Sequence, residues 1–183
     1  MKRTGMRTSS GLILMGQWDV EIDRRKTGRF GGGIQRFRYR NIIVDEALAY
    51  VLDVALQGGT QIPTWYMAPY KNNYTPISTN VGTSFPTAGV ANEMTDYDEA
   101  TRGAFVPTLV LTPPLNVNNI ASRAEFTFNN VVAQDLYGAF MISTSAKGDL
   151  TGTLFAAKKF PTVKNVIDDE ILRVGYTIYA QSV

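Results

Sequence analysis

The chain has 183 residues, enough for one domain with a real hydrophobic core and a small appendage. Charged residues are only 19%, so much of the surface is neutral and polar, which suits contacts between subunits. There is no cysteine and no histidine, which excludes disulfides, thiolate nucleophiles, cysteine-based zinc sites and Ser-His-Asp chemistry. Carboxylate-pair hydrolysis of the glycosidase type is what such a composition leaves open. The expectation is a binding or structural protein, not an enzyme, with no cofactor and no metal.

Charge divides along the chain. Residues 1–40 carry ten Lys/Arg against three acids, a net +7, and residues 41–183 carry eight against thirteen, a net −5. A basic segment on an acidic body favours an acidic partner. Residues 1–16 show no sustained periodicity and read as an extended basic arm, with 17–183 as a single domain. The apolar run Leu12-Ile13-Leu14-Met15 is shorter than the roughly 7–15 residues of a signal-peptide core, so no signal is expected. No apolar stretch is long enough to span a bilayer, and no membrane partner is expected.

From Gln17 to Asp23 the pattern alternates, with Trp18, Val20 and Ile22 opposed to Asp19, Glu21 and Asp23. Residues 24–33 form a basic, glycine-rich connection, and Ile34 to Arg40 alternates again with Phe37 and Tyr39 opposed to three arginines. Together they predict an antiparallel hairpin with a mobile tip and cross-strand carboxylate–arginine pairs. The tip glycines at 28, 31, 32 and 33 lack the Gly-Lys-Ser/Thr ending of a phosphate loop.

Helical spacing of Val44, Leu48, Val51, Leu52 and Ala55 predicts one helix over about residues 45–57, capped by Asp45 and stopped by Gly58-Gly59. Its Leu/Val stripe is expected to pack on a sheet. Short β-type segments follow at Trp65–Tyr70, Ala104–Thr112, Ala124–Asn129, Tyr137–Thr144, Thr153–Ala157 and Leu172–Ala180. The predicted fold class is mainly β: an antiparallel β-sandwich or barrel-like sheet with one α-helix and an N-terminal arm. Residues 71–96, rich in Thr, Asn, Ser, Pro and Gly, read as a long loop ordered by a partner.

Two clusters bear on chemistry. Glu93, Asp96, Asp98 and Glu99 form an acidic loop without EF-hand spacing. Its expected state is solvated, with Asp98 or Glu99 pairing Arg102, and calcium is the sharper alternative. Trp65, Tyr66, Tyr70 and Tyr74 could form an aromatic interface or a carbohydrate platform. Asp168-Asp169-Glu170 reads as a turn.

The run Asn41–Thr60, then Thr64-Trp65-Tyr66-Met67, Thr95–Arg102, Trp18–Asp23 and Tyr137–Ser145 together resemble a family of small structural virion proteins of tailed bacteriophages. The resemblance extends over about residues 17–180 as an overall pattern and carries no catalytic signature. It implies a virion location and partners among the major capsid protein, other virion proteins and further copies of the chain, with no specific nucleic acid. The expected role is a capsid decoration (cement) protein; a tail, neck or fibre-attachment protein is the alternative. A carbohydrate-binding module and a hydrolase whose carboxyls stand about 5–9.5 Å apart are remoter ones. The residues expected at the partner interface are Arg3, Arg7, Arg24, Arg25, Lys26, Arg29, Tyr66 and Tyr70.

Overall fold

The computed structural model describes residues 12–182. The expected mainly β architecture is present: ten antiparallel strands and one helix. The strands are β1 (Leu12–Asp23), β2 (Ile34–Ile43), β3 (Trp65–Tyr70), β4 (Gly103–Phe105) and β5 (Thr108–Val110). They continue as β6 (Leu115–Asn118), β7 (Ala124–Thr127), β8 (Gln134–Ile142), β9 (Leu154–Val166) and β10 (Ile171–Ser182). The helix α1 (Asp45–Leu52) runs on as a π-turn over Asp53–Gln57, 13 residues in all.

Strand order is β4-β3-β8-β9-β2-β1-β10-β6-β5, with β7 beside the other half of β10. That order forces the sheet to curl. Laid flat, the path would be about 38 Å wide at about 4.8 Å per strand. Yet β4 and β5, its two edges, are joined by Val106 and Pro107 alone, a link of at most about 11 Å. The sheet therefore wraps into a half-barrel, and the edge strand β4 meets β7: a side chain at Gly103 would collide with Ala124.

Alternation decides the inside. Trp18, Val20 and Ile22 of β1 are buried, as are Leu172, Val174 and Tyr176 of β10, with Phe126, Phe140 and Phe160 from β7, β8 and β9. Trp18 packs on Tyr176 at 4.6 Å between ring centroids. The expected hairpin pairs form on the outer face: Arg36 donates to Glu21 at 2.9 Å and Arg38 to Asp19 at 3.0 Å.

Several expectations need correction. The first strand starts at Leu12, not Gln17, because Leu12 to Gly16 pair in continuous register with Ser182 to Ile178 on β10. The segment expected over 104–112 is broken at Val106-Pro107 into two strands on opposite edges of the sheet. The strand β6 lies outside every expected segment. β9 runs nine residues past Ala157, through Pro161, which sits where the β8–β9 register shifts and no ladder donor is required.

The stretch 71–96 is held by the core, without a partner. Phe85 is fully buried, 5.7 Å from Tyr70 and 5.4 Å from Phe140 between ring centroids. Asn72 ties the loop back on itself, its backbone N–H donating to the Ala91 carbonyl and its amide to the Val90 carbonyl.

The helix is the largest surprise in packing. Its N-cap is Val44, not Asp45, and Glu46 anchors it by accepting backbone N–H bonds from Gly82 and Leu154 at 2.8 and 2.7 Å. Only Val44 and Ala47 are buried. The stripe expected to lie on the sheet is largely uncovered: Leu52 is 57% exposed and Leu56, one turn on, 78%.

Candidate interaction surfaces

The basic hairpin tip is the first candidate, and the structure neutralises it. Arg24, expected at the interface, is 2% exposed. It donates to Glu170 at 3.2 Å, to the Gln35 side chain at 2.6 Å and to the Asn165 carbonyl at 2.7 Å. Arg29 donates to the Asn165 side chain at 2.8 Å and lies 3.6 Å from Glu170. Both guanidiniums flank the ring of Phe30, at 4.9 and 5.3 Å from its centroid. Lys26 meets Asp169 at 3.4 Å, and Arg25 donates to Asp23 at 2.9 Å. The run Asp168–Glu170 does turn, but its Glu170 is also the buried counter-charge of this tip.

The tip is folded back on the sheet. Gly28, Phe30, Gly31 and Gly32 all take positive φ, so the loop coils left-handed and brings Arg24 and Arg29 back over the sheet. Arg24 is thereby removed from any partner surface, because a cation ringed by Glu170, Gln35 and a carbonyl has no exposed atom to offer. Arg25 and Lys26 remain accessible. Arg3 and Arg7 lie outside the described residues.

A second charged feature crosses the outer face. Glu125 of β7, Arg173 of β10, Glu21 of β1 and Arg36 of β2 stand in register on four neighbouring strands. Arg173 donates to Glu125 at 2.6 Å, to Glu21 at 3.1 Å and to Asp23 at 3.2 Å. The hydrogen bond from Arg25, with help from Arg173, holds the Asp23 carboxyl far below the usual carboxylate range against the pull of burial. Burial works against the charged form of Glu21 as well, but its bonds to Arg36 and Arg173 prevail and lower its pKa. The ladder alternates sign and is internally balanced.

The acidic loop is balanced too. Arg102, 1% exposed, donates to both oxygens of Glu93 at 2.9 and 2.6 Å. Glu99 accepts the Thr127 N–H, Asp98 accepts from Asn129, and Asp96 pairs with Lys71 at 3.2 Å. The partner of Arg102 is thus Glu93, not Asp98 or Glu99. Among the described residues no three metal-ligating side chains converge, which leaves the calcium alternative without a ligand set.

The aromatic cluster disperses. Tyr70, expected at the interface, is fully buried on β3, and its hydroxyl donates to the Tyr74 carbonyl at 3.1 Å. Position 70 faces Phe85 because the loop 71–96 folds over that end of the strand. Tyr66 is half-buried and pairs across the ladder with Ile142 and Ala104. Trp65 stands edge-on between Tyr50 and Phe155 at 5.3 and 5.0 Å. This arrangement presents no flat platform of exposed rings for a sugar.

What sequence reasoning missed is the end of the half-barrel where the described residues leave its inner face only partly covered. Leu14, Val117 and Ile178 continue the inner rows of β1, β6 and β10 but are only half-buried. With Trp65, Phe155 and the helix residue Val54 they line an apolar groove of 420 Å³. Leu109 of β5, directly opposite Val117, is 62% exposed. Residues facing each other across a ladder share a face, so the apolar row extends from the groove to the sheet edge. The signal for it lay in Leu14, which falls on the Trp18 face when that strand's period of two is carried back through the apolar run Leu12–Met15. Among the described residues, no helix is long and apolar enough to cross a membrane.

No protein-family model matches the chain. No curated protein matches it significantly.

Proposed function

We propose that the protein is a non-enzymatic virion structural subunit, a decoration protein that binds assembled heads of a tailed bacteriophage and self-associates through its open apolar end. The observation that carries the assembly role is the uncovered inner face. Leu14, Leu109, Val117 and Ile178 form one apolar row that none of the described elements fully covers, beside a helix that exposes Leu52 and Leu56. Contiguous apolar surface of this kind marks contact with another protein. A second copy is the natural occupant, since a small two-fold or three-fold oligomer can bury like rows against one another. The phage setting rests on the sequence resemblance, and the basic residues before β1 (Lys2, Arg3 and Arg7) supply contacts to an acidic lattice surface.

The deciding experiment is the copy number of this protein in purified virions relative to the major capsid protein. Decoration requires a ratio near one, or a simple fraction of one. A ratio about a hundred-fold lower moves the protein to the tail or neck, consistent with ring symmetry of few copies. Absence from particles overturns the virion reading. Head binding that is indifferent both to moderate salt and to removal of residues 1–11 overturns the electrostatic part.

A further inference from the structure

The two strands that join the halves of the sheet do so over a very short ladder. β2 and β9 pair only at Ile42–Ala157 and Ile43–Ala156. Continued in the same register, the next positions would be Asn41 against Lys158 and Arg40 against Lys159. The second of these sets two cations directly opposite, which is unfavourable across an antiparallel ladder. The ladder opens there. On the far side of β9 the pairing with β8 jumps from Lys159–Gly138 to Lys164–Leu136, so residues 160–163 bulge out opposite Tyr137 alone. The result is a groove of 430 Å³ between β2 and β9, lined by Arg40, Ile42, Pro76, Lys158, Lys159 and Pro161 among others.

Charge sets this groove apart. Every cation of the hairpin tip and of the outer ladder has a carboxylate partner, and so do Lys71 and Arg102. Among the described residues, the cations in no ion pair are Arg40, Lys158, Lys159 and Lys164, all on β2 and β9, together with Arg123 and Lys147. Three of them line the one groove, and no carboxylate lines it.

We propose that this groove docks an acidic peptide segment of a protein partner, laid along the opened β2–β9 seam. Three cations provide the charge, while Ile42 and the two prolines provide apolar contact of the kind a peptide uses. The volume lies in the usual range of ligand sites, about 300–1,000 Å³. Nucleic acid is the poorer fit. Single strands are held by stacking on exposed aromatic faces, whereas the aromatic ring lining this groove, Phe160, is 1% exposed and stacked on Tyr39. A duplex needs a longer basic track, and the adjoining arginines Arg36 and Arg38 are already neutralised by Glu21 and Asp19. The inference is independent of the phage setting, because it concerns the groove and not the assembly that presents the acidic segment.

The test uses the full chain and a fluorescently labelled hexaglutamate peptide, followed by anisotropy at low salt. The wild-type protein should bind it saturably. The triple variant Arg40→Gln, Lys158→Gln, Lys159→Gln should weaken binding about ten-fold or more, each exposed pair contributing a few-fold. The triple variant Arg36→Gln, Arg38→Gln, Lys71→Gln removes the same charge elsewhere and should change binding by less than about two-fold, since those cations are already paired. No saturable binding, or equal weakening in both variants, overturns the proposal. So does an oligonucleotide of equal charge that displaces the peptide and binds more tightly, which would assign the groove to nucleic acid. Carbodiimide cross-linking on the wild-type protein gives a readout free of folding defects: adducts at Lys158 and Lys159 support the site, and adducts confined to other lysines overturn it.

Discussion

The β1–β10 ribbon is one continuous antiparallel ladder from Leu12–Ser182 to Asp23–Ile171, yet its two halves live in different surroundings. From Trp18 to Asp23 the inner side chains are sealed by β7 and the aromatic core, and the outer ones are locked into the Glu125–Arg173–Glu21–Arg36 ladder. From Leu14 back towards the start of the strand, the same backbone and the same alternation lead to half-buried side chains at the groove. The β1–β10 pairing is the same in both halves, but β2 joins β1 only from Gly16 onward, and cover differs as well. The open half keeps the β1–β10 ladder but lacks both the second ladder on β1 and full burial. A protein with a complete barrel would close that end itself. Among the described residues of this one, nothing seals it.

The largest loss is expected away from the ribbon, at the buried Glu93–Arg102 pair. Arg102→Ala strands the buried Glu93 carboxylate and should cost about 3–5 kcal/mol, read as a lower urea midpoint. Replacing both Glu93 and Arg102 by apolar residues of similar volume should recover most of that loss, since both desolvated charges then disappear. Next comes a paired truncation along a single strand. Trp18→Ala should cost about 3–5 kcal/mol, whereas Leu14→Ala, only four residues away, should cost about 1 kcal/mol or less. Equal costs would mean that the open end is in fact sealed.

Gly16 marks the border between the halves. A side chain there would meet the Asn41 amide oxygen and the Tyr176 hydroxyl, which are hydrogen-bonded to each other at 3.1 Å. Gly16→Ala should destabilise by about 1–3 kcal/mol through overpacking, visible in the same urea titration.

Acid should act on the sealed half as well. Asp23 and Glu21 both have folded pKa values below their unfolded ones. Between the two values the unfolded state holds more protons, so their contribution is complete above about pH 4 to 5 and is lost as pH falls towards the folded values. Urea midpoints should therefore drop through that acid window, and Asp23→Asn should flatten the drop. Smallest in stability is Leu109→Ser, expected to fall within about 0.5 kcal/mol of the parent. Under the proposed self-association its effect belongs to assembly: sedimentation should show a shift towards monomer, and an unchanged sedimentation coefficient would remove Leu109 from the proposed interface.

Much of the fold was legible in the residues. Alternation at Trp18–Asp23 and Ile34–Arg40 identified the hairpin and its charge pairs, and the spacing from Val44 identified the helix and its end near Gln57. These are local signals, carried by neighbours in the chain. The candidate surfaces were less legible. Tyr70 and Arg24 looked like interface residues because Tyr and Arg often are, but each is buried by a segment far away in sequence, Tyr70 by the loop around Phe85 and Arg24 by Glu170. The groove cations were invisible as a group, since Arg40 and Lys159 meet only through strand order.

By itself, then, the sequence determined that this protein is a cysteine- and histidine-free, mainly β chain with a basic start, a charged hairpin and one short helix. Composition and short-range periodicity suffice for that. Tertiary structure alone decided which charges are spent on one another and which remain free, and which apolar rows are covered. Those outcomes depend on pairing between residues far apart in the chain, such as Glu21 with Arg173 at 152 positions, and alternation specifies faces without specifying neighbours.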